Sequence, residues 1–501
     1  MAFSSVWVLA ILLQIWENLP MADDRVGDKL FEVEIGPVPA RAVTPVGANK
    51  RFRHYDQSQS FLLPPSLDDW LPENHEARFI SEVVDTMLDL DCIYDSYTEA
   101  SGAPPYDPAM MLKLLLFAYS TGVTSSREME RRCHVDVAFR WLSANAAPDY
   151  RSLSRFRRRH LVAIDALFVQ VLALCAESGL VKLGRVALDG TKLRASASRH
   201  KAMSYDRMGP RIEELEAQVA ALLAEAEATD KAEDEEFGED KRGDELPPEL
   251  ATKEGRLAKL RAAKESIETE AKEKAAQKAQ QKAKERGATE EEAEAAGAKA
   301  AEGATPSGRA QRNFTDPESR MMKTNDGYQY AFNAQAMVDE EAQVIVAHSV
   351  SDQAADAQQL MEMIEATDAN LAAAGIDENP DKYITDAGYF SEKNVTDATA
   401  AGVDVLIATG RMKHHERVPD APRGPIPRDA TIKERMARRL RTKKGKADYA
   451  RRKAIVEPVF GQVKVRQAAG FLRLRGLEGA KGEWALHSLC HNLRKLARAS
   501  A

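Results

Sequence analysis

Three carboxylates occupy positions that secondary structure alone does not favour. Asp189 follows the apolar residues 186–188 within a predicted strand, and Asp386 ends a second predicted strand after residues 383–385. Aspartate is depleted in strands, and an acid beside a buried strand needs a partner or a metal ion. The third acid, Glu457, lies in the basic helical segment YARRKAIVEPVFGQVK. For each acid alone a turn cap or a solvated charge is the simpler interpretation, but together they predict a metal cage.

Phosphoryl transfer is the chemistry that suits such a cage. Two Mg²⁺ ions about 3.5–4 Å apart stabilise both the attacking and the leaving oxygen of an in-line displacement. Mg²⁺ prefers carboxylate oxygens and keeps several water molecules. We therefore predict an enzyme that uses Mg²⁺ or Mn²⁺ to cleave phosphodiesters, and a basic surface that holds the phosphate backbone.

The charges of the chain are segregated in a way that supports this chemistry. The 501 residues carry a net charge of −8, but residues 206–306 alone hold 17 basic and 27 acidic side chains. Residues 431–501 hold 19 basic and 5 acidic side chains. The C-terminal region is therefore predicted to bind a polyanion although the chain as a whole is acidic.

The order of predicted elements gives a mixed α/β sheet with flanking helices. Residues 1–60 resemble a loosely ordered arm, and 61–183 form a helical domain. Residues 184–205 and 307–501 supply the strands, among them a hairpin over 328–351. Residues 206–306, rich in Ala, Glu and Lys, form a charged helical insertion.

Arginine clusters in the helical segment favour DNA binding, with ordinary solvated helix faces as the alternative. Residues 127–160 hold 9 basic and 4 acidic side chains. Arg155 and Arg158, in SLSRFRRRH, are the candidate contacts. An apolar run over 6–16 is too short to span a bilayer. We interpret it as an upstream extension ahead of a start at Met21, with an anchor or a signal segment as alternatives.

Other chemistries find little support. Four distant cysteines, without a close pair, argue against a zinc ribbon or a disulfide scaffold, and Cys133 and Cys175 are expected to be core thiols. His487 and His491 have the spacing of zinc ligands but no third partner, which favours a surface or DNA-facing role. No Gly-rich phosphate loop is present. Asn333 and Gln335 lie on the hairpin, where they could touch the metal site or simply be half-buried strand residues.

Five segments together resemble a known family. They are YDPAMMLKLLLFAYSTGVTSSREMERRC, FRWLSANAAPDYRSLSRFRRRH, VALDGTKLRASAS, YITDAGYF and YARRKAIVEPVFGQVK. The chain resembles the bacterial insertion-sequence transposases of the DDE class, whose catalytic core is ribonuclease-H-like. The resemblance covers about residue 61 to the C-terminus, without the 206–306 insertion.

The resemblance implies a role for each acid and for three further residues. Asp189, Asp386 and Glu457 would be the three metal-binding catalytic acids. Tyr449, Arg452 and Lys464 match by type the residues that surround the family's glutamate and contact DNA. The Tyr–Arg pair lies one residue further from the glutamate than in the commonest pattern, so Arg451 or Lys453 could replace Arg452.

The implied function is cleavage at the inverted-repeat ends of an insertion sequence and joining of those ends to target DNA. The partners would be DNA and further copies of the chain, as a dimer or a larger assembly, in the cytoplasm at the nucleoid and away from membranes. Two alternatives remain open at this point. One is a non-catalytic DNA-binding or scaffold protein derived from a transposase, and the other is a hydrolytic nuclease without strand transfer.

Overall fold

The computed structural model describes residues 66–98, 104–198, 201–237, 248–324, 326–410 and 419–500. The predictions made for residues 1–60, including the apolar run and the start at Met21, lie outside these ranges.

The described secondary-structure elements between Ser66 and Glu177 are all helices. The helices are α1 (Leu67–Trp70), α2 (Glu76–Thr86), α3 (Asp91–Tyr94), α4 (Pro108–Ser120), α5 (Ser126–Val135), α6 (Val137–Leu142), α7 (Tyr150–Arg159) and α8 (Leu161–Glu177). Aspartates begin three of them by accepting from free backbone N–H groups, and Asp136 is the cap of α6. Asp107 caps α4 ahead of Pro108, and Asp149 caps α7. Helix α4 is buried on nearly every side, which explains its continuous apolar sequence.

A mixed sheet forms the second layer. The described strands are β1 (Val186–Arg194), β2 (Ala202–Ser204), β3 (Gln311–Asn313), β4 (Arg320–Thr324), β5 (Gly327–Asp339), β6 (Ile345–Ser351), β7 (Tyr383–Thr385) and β8 (Val405–Ile407). The central order is β5-β1-β7-β8, and β4 and β6 both pair with the outer edge of β5. Strand β5 is antiparallel to β1 and β6, whereas β1, β7 and β8 run parallel. This confirms the predicted ribonuclease-H-like fold class.

Eight further helices complete the described chain. They are α9 (Tyr205–Phe237), α10 (Pro248–Glu285), α11 (Glu290–Glu302), α12 (Gln359–Ala373), α13 (Glu392–Ala400), α14 (Ile432–Arg441), α15 (Lys443–Arg466) and α16 (Leu477–Ser500). Helix α16 packs against α4, α8 and β6, so it joins the helical region to the sheet. The indole Nε1 of Trp484 donates to the Gln335 carbonyl over 2.9 Å, and the Asn492 amide pairs with the backbone of Ile345.

The insertion leaves the sheet domain and returns to it at one place. Strands β2 and β3 pair with each other, with Ser204 opposite Gln311, and helices α9, α10 and α11 lie between them in sequence. The insertion has a small apolar core of its own. That core consists of Met208, Ile212, Leu215, Leu257, Leu260, Ala263 and Ile267. The helices therefore pack on one another as a module beside the main sheet.

Local details differ from the sequence-based expectation. The apolar patterns at 381–390 and 404–410 predict longer strands there, but β7 and β8 have three residues each. The first ends early because the Asp386 side chain accepts from Gly388 N and starts a 3₁₀ turn, Ala387–Tyr389. Because a residue before proline avoids the α region, the sequence predicts a kink or restart of the helix at Pro458, yet α15 continues through it. Among the described residues no single helix is long and apolar enough to cross a bilayer; only the bent pair α7–α8 passes, by length and composition.

Candidate active site

Asp189 lies within β1, where the strand turns from apolar to polar. The three residues before it are fully buried, whereas its own side chain is 23% exposed. One carboxylate oxygen, Oδ1, accepts from Gly190 N over 2.8 Å, and Oδ2 accepts from the Arg452 guanidinium over 2.9 Å. Burial raises the pKa of Asp189, and the positive charge of Arg452 opposes that shift.

Asp386 lies beside Asp189 because their strands are parallel neighbours. Leu188 is in register with Thr385, and each acid is the next residue along the chain: Asp189 within β1 and Asp386 directly after β7. Adjacent strands are separated by about 4.8 Å, which places the two acids at the same edge of the sheet. The negative charge of Asp386 also contributes to the raised pKa of Asp189. The structure thus brings two of the three predicted acids together.

Glu457 approaches these acids from helix α15 through an arginine. Arg452 Nη1 contacts Asp189, and Arg452 Nη2 lies 3.8 Å from Glu457 Oε1. The Glu457 side chain is 53% exposed, whereas the Arg452 side chain is 10% exposed. Arg452 is therefore the basic residue of this segment that reaches Asp189. Its neighbour Lys453 is exposed, and Arg451 lies near Glu340 instead.

Tyr449 and Lys464 lie on the same helix but in different surroundings. Burial raises the pKa of Tyr449, and the positive charge of Arg452 opposes that shift. Lys464 is half-buried, and burial lowers its pKa, although Asp326 opposes the shift. Since α15 is continuous, Glu457 and Lys464 lie on one face, about 10 Å apart along the helix axis.

The two predicted DNA contacts of the helical region lie on α7, and none of the described hydrogen bonds links them to the acids. Arg155 and Arg158 are exposed, and Arg155 lines a cavity of about 430 Å³ together with Tyr97, Tyr106 and Arg159. Arg157, which lies between them in sequence, is structural. It is buried and donates to the Tyr119 hydroxyl and to the Thr124 carbonyl.

Sequence reasoning missed two charged residues beside the acids, Asp356 and Lys192. Lys192 Nζ donates to Asp356 Oδ1 over 3.0 Å, and the amides of Asn333 and Gln335 donate to the same oxygen over 2.8 and 3.1 Å. Asn333 and Gln335 were candidates for contact with the site, whereas Asp356 resembled an ordinary turn residue. A signal was available: β6 is parallel to β1, so an acid shortly after β6 belongs to the same sheet edge.

Gly190 explains how these groups approach so closely. A Cβ atom at this position would lie 2.6 Å from Gln335 Nε2 and 3.0 Å from Asp356 Oδ1. Any side chain there would displace the amide or the carboxylate. The glycine after Asp189 is therefore required by the packing of the site rather than by its backbone conformation.

The donor chemistry fits a hard divalent cation, but the ligands are not gathered into a closed cage. No three His, Cys, Asp or Glu side chains of the described residues are arranged closely enough to hold a metal ion. The Arg452 guanidinium lies between Asp189 and Glu457, and there it offsets the charge of both. Asp189, Asp386 and Glu457 nonetheless offer carboxylate oxygens, which Mg²⁺ and Mn²⁺ prefer.

The surface role expected for the paired histidines is wrong. His487 and His491 are both buried on α16, and burial lowers the pKa of each to about 3. His491 Nε2 lies 2.9 Å from the Gln343 carbonyl, and His487 Nδ1 lies beside the Gln467 amide. Both rings are therefore neutral core groups rather than zinc ligands or DNA contacts.

Two family models match the chain, and together they cover more than half of it. A model described as Transposase domain (DUF772) matches residues 65–159, and one described as Transposase DDE domain matches residues 303–493. The chain belongs to the DDE transposases of insertion sequences. No curated protein and no solved structure matches it.

The family match identifies the general activity of this transposase, which is the movement of DNA. The family generally uses divalent metal ions. The DDE match begins at residue 303 and therefore includes Asp386 and Glu457 but neither β1 nor Asp189. The place of Asp189 in the transposase rests on the pairing of β1 with β5 and β7.

Proposed function

We propose that this transposase cuts DNA at the inverted-repeat ends of its element and joins those ends to target DNA, using Asp189, Asp386 and Glu457 as the catalytic acids. The observation that carries the proposal is the parallel pairing of β1 and β7, which sets Asp189 and Asp386 at one sheet edge. Glu457 is linked to the same edge through Arg452.

The acidic residues of the site would bind metal ions, and the basic residues would contact phosphate. Two Mg²⁺ or Mn²⁺ ions, when bound, would activate water or a 3′-hydroxyl and stabilise the leaving oxygen. Asp189 and Asp386 would hold them from the sheet, and Glu457 from α15. The Arg452 guanidinium offsets the carboxylate charge in the metal-free protein, and on DNA binding it could turn to a phosphate oxygen. In that role, Tyr449 would keep the guanidinium oriented.

The DNA would extend beyond the acids over other basic surfaces. We propose that Lys464 contacts the backbone near the cleavage point and that Arg155 and Arg158 contact the element end from the helical domain, residues 61–183. Phosphate contacts of this kind position DNA without reading its sequence. Cutting and joining two ends requires that both be held together, so we propose a dimer or a larger assembly.

The test is cleavage of a duplex carrying the element's own end, with Mg²⁺ or Mn²⁺ and with DNA binding measured in parallel. The variants are Asp189→Asn, Asp386→Asn and Glu457→Gln. Asp381→Asn is the matched control, because Asp381 is an exposed acid just before β7, at the opposite end of the strand from Asp386.

We expect all variants to bind DNA and only the control to cut it. Cleavage that persists in Glu457→Gln alone would show that another residue is the third acid. Nicking without joining would favour a hydrolytic nuclease, and binding without cleavage by the wild-type protein would favour a DNA-binding scaffold.

A further inference from the structure

Asp356 is held in the candidate active site by an unusual number of donors to one oxygen. Oδ1 accepts from Lys192, Asn333 and Gln335, at distances between 2.8 and 3.1 Å. Asn333 and Gln335 are fully buried strand residues, so the site holds their amides in place. Three donors saturate the lone pairs of one carboxylate oxygen. Oδ1 of Asp356 is therefore engaged in fixing the side chain and has no capacity for a metal ion.

The other oxygen of Asp356 faces Asp386. A Cβ atom at Gly388 would lie 3.0 Å from Asp386 Oδ1 and 3.4 Å from Asp356 Oδ2. The two carboxylates thus border the same small space, which the glycine keeps open. Asp356 is only 28% exposed at its side chain, so solvent screens its charge incompletely.

Tyr389 lies beside the same three acids. Its buried hydroxyl donates to Gln335 Oε1, and Gln335 in turn donates to Asp356. Burial raises the pKa of Tyr389 well above its usual range, and the charges of Asp356, Asp189 and Asp386 raise it further. One buried hydroxyl therefore responds to Asp356 as well as to the two acids of the sheet edge.

We infer that Asp356 is a positioning residue of the metal site, a fourth carboxylate whose charge strengthens the hold of Asp189 and Asp386 on divalent cations. The inference rests on the proposed function. Hydrogen bonding alone does not require a carboxylate here, since an asparagine carbonyl could accept from the same amides. What asparagine cannot supply is the negative charge that offsets Lys192 and faces Asp386.

The test measures metal binding without DNA or cleavage. Mn²⁺ is titrated against the full-length protein, and the apparent Kd is fitted from the dependence of the melting temperature on the Mn²⁺ concentration. The variants are Asp356→Asn, which removes the charge, and Asp356→Glu, which keeps it. Asp352→Asn is the matched control: Asp352 lies in the same loop, is 31% exposed and pairs with Arg320 instead of the site.

Removing a carboxylate that supports metal ligands typically costs 10–100-fold in metal affinity. We expect Asp356→Asn to raise the apparent Kd for Mn²⁺ at least about tenfold, and Asp356→Glu and Asp352→Asn to stay near the wild type. Equal values for Asp356→Asn and Asp352→Asn would overturn the inference and leave the proposed function intact.

Two other outcomes are also decisive. If Asp356→Asn melts far below the wild type without metal, its contribution is structural and the inference fails. If Mn²⁺ does not stabilise the wild-type protein, the proposed metal site fails, and the inference fails with it.

Discussion

Arg452 is the single residue that joins the third acid to the sheet edge. Its buried guanidinium contacts Asp189 and Glu457 at once. The charge of Asp189 in the metal-free protein therefore depends on Arg452, because no other basic side chain of the described residues forms an ion pair with it.

We expect Arg452→Gln to lower the free energy of unfolding by about 2–4 kcal/mol, because it leaves a partly buried carboxylate unpaired. The matched control is Lys453→Gln, which alters an exposed neighbour on the same helix and should change stability by less than about 0.5 kcal/mol. Chemical denaturation of both variants measures the difference. If both variants lose the same unfolding free energy, the ion pair with Asp189 contributes no more to stability than any positive charge on this helix.

Site residues could be predicted from the sequence only where an unusual residue type lies at or beside a predicted strand. Asp189 and Asp386 were identified because an acid beside an apolar strand is unusual. Asp356 was missed because an acid in a turn is ordinary, and its meaning depends on β6 lying parallel to β1. Sequence also could not choose among Arg451, Arg452 and Lys453, because only the packing of α15 on the sheet shows which one reaches Asp189.

The four cysteines are expected to differ sharply in reactivity. Burial raises the pKa of Cys133 to about 11 and the pKa values of Cys175 and Cys490 to about 12. Cys92 is exposed. Because thiolate is the reactive form, one thiol per chain should react quickly with a disulfide reagent at pH 8, and all four should react in denaturant. A second fast thiol in the native protein would contradict the burial of the other three.

Helix α15 tolerates its proline because another element satisfies the carbonyl that the proline leaves free. Pro458 has no N–H to donate to Ala454 O. The side-chain amide of Gln343, in the turn between β5 and β6, donates to that carbonyl over 2.9 Å. Gln343 has a positive φ of 61°, so a specific backbone conformation aims its amide at α15. The proline therefore adds a link between the helix and the sheet.

A double-mutant cycle tests this link. Gln343→Ala should cost about 0.5–1.5 kcal/mol of unfolding free energy in the wild-type background, since it removes the hydrogen bond between the sheet and this carbonyl. In a Pro458→Ala background the alanine N–H replaces the amide, so the cost should fall by at least about 0.5 kcal/mol. Additive costs from urea denaturation would refute the link.

Helices and strands with a long apolar pattern could be predicted from the sequence. Those whose length or burial depends on tertiary contacts were misjudged. The buried helix at 108–120 and the hairpin strands follow directly from their apolar patterns. Strands β7 and β8 are shorter than expected because capping by Asp386 ends the first and neighbouring strands support both. The role of α16 was misjudged for the same reason. Its histidines resemble surface groups in sequence, but the helix lies between α8 and the sheet.

On the scale of the whole molecule, a buried polar network links the helical region to the C-terminal helix. Glu483 accepts from the Tyr119 hydroxyl over 2.9 Å and from two backbone N–H groups, of Arg473 and Leu474. Arg157 donates to the same Tyr119 hydroxyl. Through Tyr119 and Glu483, α7 is therefore connected to α16, the helix that packs against β6.

The insertion is expected to be removable. Replacing residues 205–310 with Asn-Gly would turn β2 and β3 into a two-residue hairpin, since Ser204 already pairs with Gln311. The apolar core of the insertion is separate from the main core, so the melting temperature should change by only a few degrees, a stability change of about 1 kcal/mol or less. Stabilisation by Mn²⁺ should remain. Loss of cooperative melting would show that the main fold depends on the insertion.

The paired entry and exit strands also have a consequence for the history of the gene. A segment whose two ends meet at one short ladder can be gained or lost in a single in-frame event without shifting any strand of the catalytic sheet. Descendants of a common ancestor could therefore differ by about a hundred codons here and still align on both sides. Length variation among such genes should concentrate between β2 and β3. The codons on either side encode strands of the folded domain, so insertions and deletions should be rare there.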